Sequence, residues 1–125
     1  MKNQWWNFSL FLLPIFWMGI ISFLSSQPVL PSLDVFWQDF IIKKTAHLTV
    51  YMILFWCWFL AFRLSHAQPE KTSRQLFLII ILCLVFAIFD EWHQSYVPGR
   101  TGTLRDVGYD FLGVSLAALW SYKIV

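Results

Sequence analysis

Four long apolar tracts, separated by short polar connections, divide the chain. The first runs from Phe8 to Leu24, and the second from about Ile41 to Phe62, with Lys43 and Lys44 near its start and Arg63 just beyond its end. The third spans Gln75 to Gln94, and the fourth runs from near Leu104 to near Tyr122. About twenty apolar residues in helical conformation cross the roughly 30 Å of hydrocarbon in a bilayer, so each tract is long enough to span it. Ahead of the second, DVFWQDFII begins with an N-cap candidate at Asp34 and sets Val35, Trp37 and Phe40 among polar residues, as an interfacial helix does. Gly113, Ala117 and Ser121 recur at four-residue spacing in the fourth tract, a small-residue face for close helix packing. The first tract, with Lys2 before it, imitates a signal peptide. No small-x-small cleavage site follows, and Pro14 and Gly19 are tolerated in spanning helices, so it is expected to be retained. The pattern predicts an all-α membrane protein, a bundle of four transmembrane helices with a short interfacial helix before the second. It forms a single domain over residues 1–125 without internal repeats.

Composition sharpens this reading. Of 125 residues, 58% are hydrophobic and 20% aromatic, and mean hydropathy is +0.61, too apolar for a soluble domain whose surface needs charge. A water-soluble bundle would have to hide LFLIIILCLVFAIF (Leu76 to Phe89) in a core that so short a chain scarcely builds. Cys57 and Cys83 lie inside apolar tracts without metal-type spacing and read as small core hydrophobes. A net charge of +2, with no basic run interleaved with aromatics, gives no reason to expect nucleic acid as a partner. Trp5, Trp6, Trp37, Trp92 and Trp120 fall near tract ends, where interfacial aromatic anchors are expected. His66 reads as a solvated loop residue.

Where the charge sits says more than its total. With the N-terminus inside, Lys2, Arg63, Lys71, Arg74 and Lys123 are cytoplasmic, against Lys43, Lys44, Arg100 and Arg105 outside. That margin is one residue, but RLSHAQPEKTSR reads as an ordinary basic loop while the opposite charges look tied to a site, so both termini are expected in the cytoplasm. Four alternating helices bring the end of the first, the start of the second, the end of the third and the start of the fourth to one membrane face. Ser25, Ser26, Gln27, Lys43, Lys44, His47, Tyr51, Asp90, Glu91, His93, Gln94, Arg100, Arg105, Asp106 and Asp110 all lie there.

Spacing and depth argue for a shared pocket. Lys44, His47 and Tyr51 share one helical face, as do Asp90 and Gln94 and, further on, Asp106, Asp110 and Gly113. Asp90 lies about 22 Å along its helix from Gln75, below the headgroups, where an ionised group costs several kcal/mol unless it is paired or reaches water. The connection VPGRTGTLRD, with a tight turn expected at Pro98 and Gly99 and a positive φ allowed at Gly102, offers two arginines and backbone N–H groups to an anion.

SSQP, KTAHLTVY, DEWHQ, VPGRTGTLRD and DFLG, in this order from about Phe16 to Ala118, resemble the VanZ-like family of small bacterial membrane proteins. Asp110 stands where that family's pattern often has asparagine, and Lys43 where an acidic residue is about as frequent. The resemblance implies a protein of the bacterial cytoplasmic membrane linked to resistance against glycopeptide antibiotics, teicoplanin in particular. It implies no reaction.

Three functional readings compete with a purely structural one, in which Asp90, Glu91, Arg100, Arg105 and Asp106 neutralise one another and lock the helix ends. The first is an envelope factor binding an anionic lipid-linked or peptidoglycan-related molecule, or the glycopeptide itself. Arg100 and Arg105 would hold phosphate, with Lys44, Tyr51, Gln94, Asp106, Ser26 and Gln27 completing the binding set. The second is an enzyme acting on a lipid-phosphate or glycan substrate, with Asp90, Glu91, His47 and His93 as candidate acid–base residues. The third is a transporter, for which the apolar inner-leaflet halves of the helices offer no polar route. A metal on Asp90, His93 and Asp106 is conceivable, but Asp-x-x-His alone is poor evidence, so no metal site is assigned. No cofactor is indicated. Membrane lipids are expected neighbours, and the oligomeric state is left open.

Overall fold

The structure is a computed structural model that describes residues 8–28, 36–65 and 72–124. Four long helices follow one another: α1 (Leu12–Ser26), α2 (Phe36–Ser65), α3 (Thr72–Gln94) and α4 (Leu104–Ile124), with no strand among the described residues. Three segments, Phe8–Ser26, Trp37–Ser65 and Ser73–Gln94, are long and apolar enough to cross a membrane. The fourth helix matches a span in length at 21 residues, but Arg105, Asp106, Asp110 and Lys123 dilute its hydropathy and it falls outside that set.

Pro14 lies in the first turn of α1, just after the N-cap Phe11, where a missing N–H removes no helical bond. The helix stops at Gln27, whose extended backbone (φ −73°, ψ 141°) turns the chain away while its N–H still reaches the Leu24 carbonyl. One expectation is corrected at α2. Among the described residues no separate interfacial helix precedes it: Phe36 to Ser65 is a single helix of 30 residues, about 45 Å long at 1.5 Å per residue. Lys43 and Asp39, 2.7 Å apart at i and i+4, bridge the expected break and carry the helix through Ile41 and Ile42. A helix so much longer than the hydrocarbon must tilt or project beyond it. The N-cap expected at Asp34 and the aromatic anchors at Trp5 and Trp6 lie outside the described residues, as does His66.

Side-chain exposure runs opposite to that of a soluble bundle. Phe16, Phe77, Val85 and Leu119 are each more than 60% exposed, whereas Asp90, Glu91, Asp106 and Asp110 are buried. Such a broad apolar exterior suits lipid and not water. The core beneath is built from Leu54, Phe55, Ile79, Cys83, Val114 and Ala117, with Tyr51 fully buried among them. Helix α2 is central, touching each of the other three and packing most extensively on α4. The glycine at 113 permits that contact, because a Cβ there would run into the Leu48 carbonyl oxygen; Ala117 and Ser121 follow on the same buried face. Trp17 fastens α1 to α2 by donating its indole N–H to the Val50 carbonyl at 2.9 Å. Trp92 is exposed and packs edge-on against Tyr96 at 5.6 Å, an outward position that fits an anchor.

Candidate functional site

The polar groups at one end of the bundle form three connected layers. The first joins α1 to α3. Asp90 and Gln94, one turn apart, meet Ser25: the Ser25 hydroxyl donates to Asp90 Oδ2 at 2.9 Å, and Gln94 Nε2 donates to Ser25 Oγ and Asp90 Oδ2, both at 3.1 Å. Tyr51, from α2, points its hydroxyl at the same carboxylate oxygen from 3.5 Å. Asp90 Oδ1, on the other side of the carboxylate, is buried with no partner.

The second layer joins α2, α3 and α4. The His47 ring N–H donates through Nδ1 to Asp110 Oδ1 at 2.9 Å, and the same nitrogen lies 3.9 Å from Glu91 Oε1. Glu91 Oε2 accepts the Thr103 backbone N–H at 3.2 Å, while Glu91 Oε1 and Asp110 Oδ2 are buried without partners. The third layer is an ion pair between Lys44 on α2 and Asp106 on α4. Its ammonium also lies over the rings of Tyr109 and Phe40, 5.2 Å and 5.7 Å from their centroids. Thr103 Oγ1 donates to the second Asp106 oxygen at 2.9 Å, which ties the start of α4 to the pair.

The loop between α3 and α4 is held by two glycines with different roles. Gly99 takes a positive φ of 79° within a turn closed by the Arg100 N–H on the Val97 carbonyl, with Pro98 preceding it, as a type II turn requires. Gly102 matters through proximity instead of φ. A Cβ there would collide with the Glu91 carbonyl oxygen, so only glycine lets the loop lie on the end of α3 and deliver Thr103 to Glu91. Arg100 then reaches across to α1, its Nε donating to the Gln27 carbonyl at 2.8 Å and Nη2 to that of Leu24 at 3.1 Å. These carbonyls end α1 and have no further helical turn to satisfy them. The remaining guanidinium donors are not used in these bonds.

Between α1, α2, α3 and this loop lies a cavity of about 510 Å³. Ile21, Leu24, Ile42 and Val50 supply much of its apolar wall, and Lys43, His47, Tyr51, Asp90, Gln94 and Arg100 its polar groups. His47 is therefore shared, lining the cavity while bonding Asp110 behind it.

Of the residues singled out from the sequence, His47, Tyr51, Asp90, Gln94, Gln27 and Arg100 meet at the cavity, and Lys44, Glu91 and Asp106 stand in the layers behind. Three lie apart from these contacts. Ser26 is exposed and donates to the Ser22 carbonyl at 2.7 Å; its neighbour Ser25 faces Asp90. Arg105 is exposed at the start of α4, and His93 is half-buried one turn beyond Asp90. Asp90, His93 and Asp106 do not converge on a metal site, since Asp90 belongs to the first layer and Asp106 to the third. Asp110 proves as central as any residue in the candidate set; its spacing from Asp106 marked the face, but nothing local marked its pairing with His47.

The sequence profile of the VanZ/LLP1 family matches residues 8–125, nearly the whole chain. The chain belongs to the VanZ/LLP1 family. The match takes in all three layers and the cavity wall, so the site belongs to the family domain and not to an appended segment. No curated protein and no solved structure matches the chain.

Proposed function

We propose that this VanZ-family protein spans the bacterial cytoplasmic membrane four times with both termini in the cytoplasm. Its cavity binds the headgroup of an anionic lipid-linked or peptidoglycan-related molecule at the outer leaflet, and through it contributes to glycopeptide resistance, teicoplanin resistance in particular. The observation that carries this reading is the cavity's lining: an apolar wall suited to a lipid chain, with the Lys43 and Arg100 cations at its polar groups. Its volume lies within the roughly 300–1,000 Å³ typical of small-molecule sites. A guanidinium with donors to spare suits a phosphate better than a point charge does. The fourth helix completes the bundle despite its charges, because Asp106 and Asp110 turn inward to Lys44 and His47 and not to lipid.

The test is binding of a polyisoprenyl phosphate to the purified protein, followed by native mass spectrometry, alongside the teicoplanin susceptibility of cells. Arg100→Lys keeps charge and loses the fork, and is expected to weaken binding and resistance while leaving the protein inserted. Undiminished binding and protection by that variant would count against the reading.

A second reading, a membrane-embedded hydrolase or transferase, is favoured by one feature: His47 Nδ1 lies between two buried carboxylates, each with an open oxygen. In that reading His47, which lines the cavity, exchanges the proton with the substrate, and Glu91 and Asp110 behind it set its charge. Turnover of a lipid-phosphate by purified protein, lost in Glu91→Gln while binding persists, distinguishes enzyme from binder.

A further inference from the structure

Charge is unbalanced in the interior of the bundle. Asp90, Glu91, Asp106 and Asp110 are all buried, and Lys44 is committed to Asp106. Of the cations that line the cavity, Lys43 pairs with Asp39, while Arg100 spends its bonds on the carbonyls of Leu24 and Gln27 and pairs with none of the four acids. Asp90 is partly compensated by neutral donors from Ser25 and Gln94. Glu91 and Asp110 have less. Each keeps one buried oxygen with no partner, Oε1 and Oδ2 respectively, although the side chains are only 5% and 0% exposed. Buried polar atoms are nearly always satisfied, and two orphaned carboxylate oxygens beside one imidazole mark a place where something positive is missing.

The geometry points to a divalent cation site formed by His47, Glu91 and Asp110. Each residue offers one ligand atom, and the three atoms lie within 4.8 Å of one another. Ligand atoms about 2.0–2.2 Å from a tetrahedral cation lie about 3.4 Å from one another, so the three must draw together by up to about 1.4 Å on binding. One imidazole with two carboxylates suits Zn²⁺, a borderline ion, or Mn²⁺, a harder ion at home with carboxylates, better than Ca²⁺ or Mg²⁺, which favour all-oxygen shells. The supports are also in place. Thr103 N–H fixes the other oxygen of Glu91, and α2 and α4, which carry His47 and Asp110, are clamped together where Gly113 meets Leu48. Three protein ligands leave at least one coordination position for water or an incoming ligand. The inference does not depend on which molecule fills the cavity.

The test uses the full chain purified in detergent and stripped with a chelator. Calorimetric titration with Zn²⁺, and separately with Mn²⁺, is expected to show one saturable site per chain for at least one ion. Asp110→Asn and Glu91→Gln should weaken it by at least the 10- to 100-fold that loss of an outer hydrogen-bond partner typically costs. Asp39→Asn, at an acid paired with Lys43 away from the three ligands, should leave it unchanged. For Mn²⁺, pulsed electron paramagnetic resonance of the unaltered protein should show coupling to an imidazole nitrogen, a result that requires no variant to fold. Absence of saturable binding by either ion would overturn the proposal. So would binding that survives all the substitutions, or bound Mn²⁺ without nitrogen coupling.

Discussion

A single methyl group at position 102 should be far more damaging than the same methyl at position 108. An added Cβ at Gly102 meets the Glu91 carbonyl oxygen well inside van der Waals contact, with the Glu91 carbonyl carbon and the Ser95 nitrogen both at 3.1 Å. All three are backbone atoms at the end of α3, so no flexible side chain can yield. Relief must come from lifting the loop. Overpacking of this kind costs about 1–3 kcal/mol. The lifted loop also withdraws the Thr103 N–H from Glu91 Oε2, a hydrogen bond to a charged group worth about 1.5–3 kcal/mol. Gly102→Ala is therefore expected to destabilise the protein by about 2.5–6 kcal/mol. At Gly108, inside α4, an added Cβ has nothing within 4 Å, and alanine there should be neutral or stabilising by up to about 1 kcal/mol. Thermal unfolding of the two variants in the same detergent, followed by circular dichroism, measures the contrast. Equal stability of the two would refute the claim that the loop rests directly on the end of α3.

Other perturbations probe separate joints. Lys44→Met strands Asp106, whose side chain is 12% exposed, and is expected to cost about 3–5 kcal/mol; adding Asp106→Leu should recover most of it, which a double-variant cycle on thermal stability would show. Gly113→Ala pushes α4 away from the Leu48 carbonyl and should lose about 1–3 kcal/mol by the same unfolding assay, more than Gly19→Ala, where the added methyl meets nothing. Trp17→Phe removes the N–H donated to Val50 and is expected to cost about 0.5–1.5 kcal/mol without changing ligand binding.

The helices were legible in the sequence because hydrocarbon thickness sets the length of an apolar run, and α3 ends at Gln94 as expected. The start of α2 was not. Trp37 and Phe40 among polar neighbours look like a separate amphipathic turn, yet they belong to one rod, with the Asp39–Lys43 bridge lying across the junction. The clustering at one face followed from alternation of spans, whereas the pairing inside the cluster did not. Ser25 and Ser26 differ by about 100° of helical rotation, and α1 is apolar nearly all round, so no polar stripe says which serine faces inward. Arg100 and Arg105 are likewise separated by the geometry of a turn: Gly99 aims the first at α1, and the second follows the start of α4 to an exposed position. His47 with Asp110 is a contact between helices 63 positions apart, visible only once Gly113 has drawn α4 onto α2.

The central claim is that residues from α1, α2 and the α3–α4 loop enclose one cavity open at a single membrane face. With Cys57 and Cys83 replaced, single cysteines at Gln27, Ala46 and Thr101, which line the cavity, and at Leu119, which is 67% exposed on the apolar exterior, can be offered a membrane-impermeant maleimide in intact cells and in inverted vesicles. The three lining positions are expected to react from the same side, and Leu119→Cys from neither. Reaction of the three from opposite sides would contradict the account.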